Sequence, residues 1–116
     1  MNINDLEIAK IASKVSIEKC IELSAGDELH YRALVCVNSM VLTINVIEKM
    51  VSNEFRPIVE DVMTADIAVV VETLAYNRFK GNKEADENII TAYKQRLVKE
   101  AEMVFNAGTE IDKLVG

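Results

Sequence analysis

The stretch from Ala33 to Val51, ALVCVNSMVLTINVIEKMV, is apolar at most positions and holds no Gly or Pro. At 100° per residue, Asn38, Asn45, Lys49 and Ser52 fall on one narrow stripe, with Glu48 at its edge. The rest of the circumference is apolar, broken only by Ser39 and Thr43. A surface helix buries an arc of roughly 100°. This one offers about twice that arc, which predicts a helix covered either by other helices of the chain or by a neighbouring subunit. The stripe through Asn38, Asn45 and Ser52 marks the side least suited to either contact. On this reading Val41 and Ile44 belong to the buried arc, where an Asp would be severely destabilising.

The flanking pattern is helical throughout. Asn4 can cap a short first helix with Glu7 at its third position and Leu6, Ile8, Ile11 and Ala12 as its apolar residues. Ser13 to Val15 read as a break. Ser16 then caps a second short helix carrying Ile17, Cys20, Ile21 and Leu23. Ser24-Ala25-Gly26-Asp27 is a loop, and Asp27 or Gly26 opens the long helix, expected over Glu28 to Asn53. Arg56, preceding Pro57, is expected outside helical geometry, with the next helix over Ile58 to Lys80. Its centre, IAVVV, could be a buried strand if read alone, but the unbroken flanks favour helix. Gly81-Asn82 stops it. A last amphipathic helix is expected from Lys83 or Glu84 to Asn106. Its buried stripe is Ile90, Tyr93, Leu97, Ala101 and Val104, with Lys94, Lys99, Glu100 and Glu102 outward. Ala107-Gly108 ends it, leaving Thr109 to Gly116 as a flexible or docking tail. The expectation is one all-α domain over residues 1–116, a small helical bundle of two short N-terminal helices and three longer ones.

Composition supports this class. The 116 residues include a single Pro and four Gly, too little turn chemistry for an all-β fold. The net charge of −6, with no Trp and few aromatics, disfavours nucleic-acid recognition. No signal peptide is visible in Met1 to Lys10, and the longest uninterrupted apolar run, Ile67 to Val71, is too short to span a bilayer.

Candidate chemistry is sparse. Cys20 and Cys36, without a CxxC spacing, read as reduced core thiols. His30, the single His, reads as a solvated surface residue beside Glu28 and Tyr31. The carboxylates Glu48, Asp61, Asp66, Glu72, Glu84, Asp86 and Glu87 read as caps and solvated faces. No Glu-x-x-His is present, as a di-metal bundle would need. Asp66 and Glu72 flank the IAVVV run and could lie in an interface. Arg78, Lys80, Lys83, Lys94 and Arg96 form a loose basic cluster, suited to an acidic partner or to solvation. No phosphate loop, dinucleotide fingerprint or nucleophile elbow occurs. The expectation is therefore no catalytic, cofactor-binding or metal-binding residue and no enzyme activity.

From Ile44 onward, the order NEFRP (Asn53 to Pro57), ADIAVVVETLAYNRF (Ala65 to Phe79) and AYKQRLVKEAEMVFNAG (Ala92 to Gly108) resembles the small helical head–tail connector proteins of tailed bacteriophages, including the Mu-like prophage branch. The matching residues are Phe55, Arg56, Pro57, Asp66, Ile67, Ala68, Tyr76, Arg78, Tyr93, Lys94 and Gly108. The aromatic-Gly pair usual after that family's first helix is replaced here by Ala12-Ser13. The resemblance implies a structural subunit of a ring between portal and tail after DNA packaging. Its partners would be copies of itself, a portal protein and tail or stopper proteins, in the virion or the host cytoplasm, with no cofactor and no membrane. Met1 to Asn4 and Thr109 to Gly116 would be docking arms. The alternative from the residues alone is a small adaptor or regulator that dimerises through the long helix.

Overall fold

The computed structural model describes residues 3–115, and side chains from Leu6 to Glu110. It contains four helices and, among the described residues, no strand: α1 (Ile3–Ser24), α2 (Glu28–Met50), α3 (Arg56–Phe79) and α4 (Glu87–Val115). The helical bundle agrees with the sequence, but the helix count does not. The two short helices are one continuous α1. Ser13 to Val15 contain no Gly or Pro, so nothing in the backbone forces a break. Asn4 and Ser16 are therefore inside the helix rather than at caps, and Ser16 is buried.

The second departure is at the other end. Ala107-Gly108 does not stop α4, which continues through the expected tail to Val115. Gly108 is there for proximity. A Cβ at this position would lie 2.5 Å from Ser16 Oγ and 3.6 Å from the Ala12 carbonyl oxygen. The missing side chain lets α4 cross close over α1. The expectation for Met1, Asn2 and Gly116 lies outside the described residues.

Local chemistry fixes the remaining ends. Asp27 caps α2 by accepting from the His30 backbone N–H at 3.1 Å. Gly26 (φ +86°) lets the α1–α2 link turn so tightly. Arg56 opens α3 instead of lying outside it, and its Nε donates to the Glu48 carbonyl near the end of α2 at 2.9 Å. Gly81 (φ +80°) begins the turn after α3. Asp86, rather than Lys83 or Glu84, caps α4, accepting from the Ile89 N–H at 2.9 Å.

The helices stand in chain order around a rhombus. Each packs on the next, α4 packs back on α1, and α2 also meets α4 across the short diagonal, while α1 and α3 do not touch among the described residues. The result is flat, with Cα extents of 52 × 36 × 16 Å. The core gathers at one level of the bundle: Cys20 from α1, Ala33, Leu34 and Val37 from α2, Val71 and Ala75 from α3, Tyr93, Leu97, Ala101 and Val104 from α4. The α4 stripe is the one its periodicity predicts, apart from Ile90, which is half-buried. Between Val41 and Val70 no residue is fully buried. That half of the α2–α3 hairpin is an arm projecting beyond the core.

The α2 arc reads differently from its sequence pattern. Asn38, placed on the supposedly free stripe, is buried at 8% exposure, and its Oδ1 has no hydrogen-bond partner among the described residues. Asn45, one helical face further on, is half-buried. The polar stripe thus points toward α1 and α4. Much of the apolar arc, by contrast, is open: Leu42, Val46 and Met50 are exposed. Cys36 is also exposed, against the expectation of a core thiol, while Cys20 is buried and burial raises its thiol pKa. By length and composition α2 is long and apolar enough to cross a membrane. The reading from uninterrupted runs missed this, because scattered polar residues interrupt the sequence but not the average.

Candidate functional site

His30 is the largest departure from the sequence reading. It is fully buried, at 0% exposure, not solvated. The first turn of α2 turns it inward against α4, where Tyr93 and Glu100 lie on the same face two helical turns apart. His30 Nε2 is 3.1 Å from Glu100 Oε2, and Nδ1 is 2.9 Å from the Tyr93 hydroxyl. Glu100 in turn accepts from Arg96 Nε at 2.8 Å. Glu100, expected to face outward, is buried at 8% exposure because these two partners draw it in. One tautomer satisfies every atom: Nε2–H donates to the carboxylate, and Nδ1 accepts from the tyrosine O–H. The Arg96 charge then balances that of Glu100.

A second ion pair closes the same end of the bundle. Arg78 Nη2 donates to Asp27 Oδ2, tying the end of α3 to the N-cap of α2. The hydrogen bond from Arg78 and the backbone N–H of His30 together hold the Asp27 carboxyl at about 2. The Arg78 guanidinium lies 4.7 Å from the centroid of the Tyr93 ring. Phe79 meets the same ring edge-on at 5.6 Å, and His30 does so at 5.5 Å. Tyr93 is therefore held on several sides, and burial raises its phenol pKa. Arg78 Nη1 has no hydrogen-bond partner among the described residues, and the aromatic face beside the guanidinium offsets that in part.

A His flanked by a carboxylate and a tyrosine has the parts of a proton relay. Here the ring is sealed from solvent. A cleft with a volume of about 610 Å³ lies elsewhere. Ile8, Ala12 and Ser16 of α1 form one wall, Leu42, Asn45, Val46 and Lys49 of α2 another, and Phe105 and Gly108 of α4 the floor. Lys49 is its one charged lining residue, and the hydroxyl residues Ser13, Ser16 and Thr109 also line it. Among the described residues no group of three or more His, Cys, Asp or Glu is placed to hold a metal ion.

What the molecule offers to a partner is apolar surface. Leu6, Ile11, Ile17 and Ile21, among the apolar residues of α1, are exposed. On α3 the exposed residues Phe55, Ile58, Val62, Ala65, Val69, Glu72 and Tyr76 follow one another at steps of three and four, beginning at the N-cap. This stripe is opposite the face that carries Ile67, Val71 and Leu74 into the bundle. α3 is thus apolar on two sides, and only one of them has a partner among the described residues. The IAVVV run supplied both.

The residues carrying the connector resemblance separate into groups. Phe55, Asp66, Ala68 and Tyr76 are exposed, and Ile67 is half-buried against the core. Arg78 and Tyr93 belong to the polar cluster, and Lys94 lies 3.8 Å from Glu72. Arg56 and Pro57 open α3, and Gly108 makes the helix crossing. Of the carboxylates, Asp86 is a cap, and Asp61, Asp66, Glu84 and Glu87 are exposed. Arg78 and Arg96 leave the loose basic cluster to pair with Asp27 and Glu100. The sequence did carry a sign of the polar cluster: Glu100 shares the three-and-four spacing of Tyr93, Leu97 and Val104. No family model, curated protein or solved structure matches the chain.

Proposed function

We propose that this chain is a structural subunit of a larger assembly rather than a catalyst, and that the assembly is a head–tail connector of a tailed phage or prophage. The observation that carries the assembly reading is surface. A compact monomer of 12.9 kDa exposes roughly 6300 Å². This chain exposes 8227 Å². Its radius of gyration is 15.9 Å, against roughly 13.4 Å for a compact domain of this length. The excess of about 1900 Å² matches two standard interface patches of about 800 Å² each. A ring subunit has two neighbours and meets each with a different face. The open α1 face and the cleft beside α2 are such a pair of faces. The connector assignment itself rests on the residue resemblance from Asn53 to Gly108, with portal and tail or stopper proteins as the further partners, in the virion or host cytoplasm, and with no cofactor, membrane or specific nucleic-acid role.

One observation favours a second reading, a small adaptor that dimerises through α2. Leu42, Val46 and Met50 are exposed at successive four-residue steps, and Met50 is 79% exposed. Light scattering over a concentration series, alone and with the portal protein of the same genome, separates the two. A ring or a portal-dependent higher oligomer supports the connector. A discrete two-fold dimer supports the adaptor. A strict monomer under both conditions, together with tail-joined infectious particles from a deletion strain, overturns the connector reading.

A further inference from the structure

The outer stripe of α3 differs chemically from the rest of the open surface. Phe55, Ile58, Val62, Ala65, Val69 and Tyr76 form an apolar line, about 32 Å long at the helical rise, with Glu72 in the step between Val69 and Tyr76. Asp66 borders it on one side and Asp61 and Glu72 on the other. Between Arg56 and Arg78 the helix contains no base. Among the described residues, no Lys or Arg lies in ion-pair contact with Asp61 or Asp66. The spacing is that of a coiled-coil seam, in which flanking charges choose the partner. A second copy of this face is a poor choice, because like carboxylates would then line both sides of the contact. Two bases of α4 are also occupied: Lys94 by Glu72 and Arg96 by Glu100.

We propose that the outer face of α3 is a docking site for an amphipathic helix of another protein, one whose apolar stripe is bordered by lysines and arginines. This deepens the assembly reading, and rests on it, by giving the chemistry of one partner. Such a helix lays its apolar stripe along Ile58 to Tyr76 and brings its cations over Asp61 and Asp66. Charge sets the choice of partner and the approach rate, and the apolar line holds the bound state.

The test uses the full chain and two labelled synthetic helices of about 24 residues, long enough to span the stripe. Both carry Leu along one seam. One has Lys and Arg at the flanking positions, the other Glu. Anisotropy is expected to show binding of the basic helix at least roughly tenfold tighter than the acidic one, weakening with salt. Val62→Ser with Val69→Ser should reduce that binding roughly tenfold or more. Asp61→Lys with Asp66→Lys should reverse the preference between the helices. All four positions are exposed, so helicity and Tm should hold. Equal binding of both helices, or binding indifferent to the substitutions, overturns the proposal. So does an oligomer that dissociates on Val62→Ser with Val69→Ser, since a second copy then covers α3. Parallel light scattering separates the two ideas. Oligomers without helix binding remove the docking site alone, and helix binding by a chain that stays monomeric even with portal removes the ring alone.

Discussion

His30 Nε2 and Glu100 Oε2 lie 3.1 Å apart, joining the first turn of α2 to the middle of α4 across the buried end of the bundle. The pair is 70 residues apart in sequence, so it stabilises only the closed chain. Removing one partner strands the other. His30→Ala leaves a buried carboxylate with Arg96 alone and a tyrosine hydroxyl without its acceptor, at a cost of about 3 kcal/mol. Glu100→Gln, which keeps an acceptor for Nε2–H, should cost clearly less. Urea unfolding of both variants and of the double variant measures the coupling. Additive losses would show that the two side chains do not act together.

The Asp27 carboxyl, at about 2 in the folded chain, lies below its unfolded value of about 3.9. A depressed carboxyl stabilises above the unfolded pKa and loses that contribution as pH falls through the folded one. The window is therefore from about pH 4 down to about pH 2. The side chain is 35% exposed, so solvent screening reduces the effect to about 1 kcal/mol. Asp27→Asn keeps the cap on the His30 N–H and removes the charge. It should be less stable than wild type by about that amount at neutral pH and nearly equal to it near pH 2. A stability difference constant across the range would assign the effect to capping instead.

Gly108 acts as a spacer between helices, not as a stop. Gly108→Val should lower stability by about 2 kcal/mol, because its branches meet Ser16 and the Ala12 carbonyl. Gly108→Ala combined with Ser16→Ala is different. The Oγ at 2.5 Å is gone, the remaining neighbours at 3.6 and 3.9 Å are ordinary contacts, and Ala is the better helix former. This double variant should match or exceed wild type by up to about 1 kcal/mol in thermal or urea unfolding. A large loss in the double variant would mean that α4 needs glycine for another reason.

The same residue shows where sequence reading runs out. A Gly after an apolar stripe is a good stop signal, and only the crossing partner, far away in sequence, reverses that meaning. The α4 stripe and the Asp27 cap were legible because each follows from neighbours three or four positions away. The burial of His30 and Glu100 was not, since each is polar alone and becomes a core residue only beside the other. Ser13 to Val15 misled for the opposite reason: Ser and Val are weak helix formers, but no Gly or Pro stands among them and α1 runs on through. The outer stripe of α3 was present as a spacing in the sequence, but the inner stripe through Ile67, Val71 and Leu74 overlaps it in the IAVVV run. Only the fold separates the two.

The arm formed by the second half of α2 and the first half of α3 should be the least protected part of the hairpin. From Val41 to Val70 no residue is fully buried, while Leu34 and Val37 lie in the core at 0% and 2% exposure. Helical stability comes mostly from packing of a buried face, and this arm has half of one. Val41 and Ile44, expected from sequence to be core positions, are half-buried. Val41 still packs against the core edge, so Val41→Asp should cost about 1–2 kcal/mol, Ile44→Asp less, and Leu34→Asp enough to unfold the chain. Amide exchange should follow the same order, faster at Leu42 to Met50 and Ile58 to Asp66 than at Ala33 to Val37 and Val71 to Ala75. In a bound oligomer or with a docked helix, the α3 amides should slow selectively, because the added partner supplies the burial that the chain lacks. Uniform protection along α2 and α3 in the free chain would mean that the arm is already covered by a second copy.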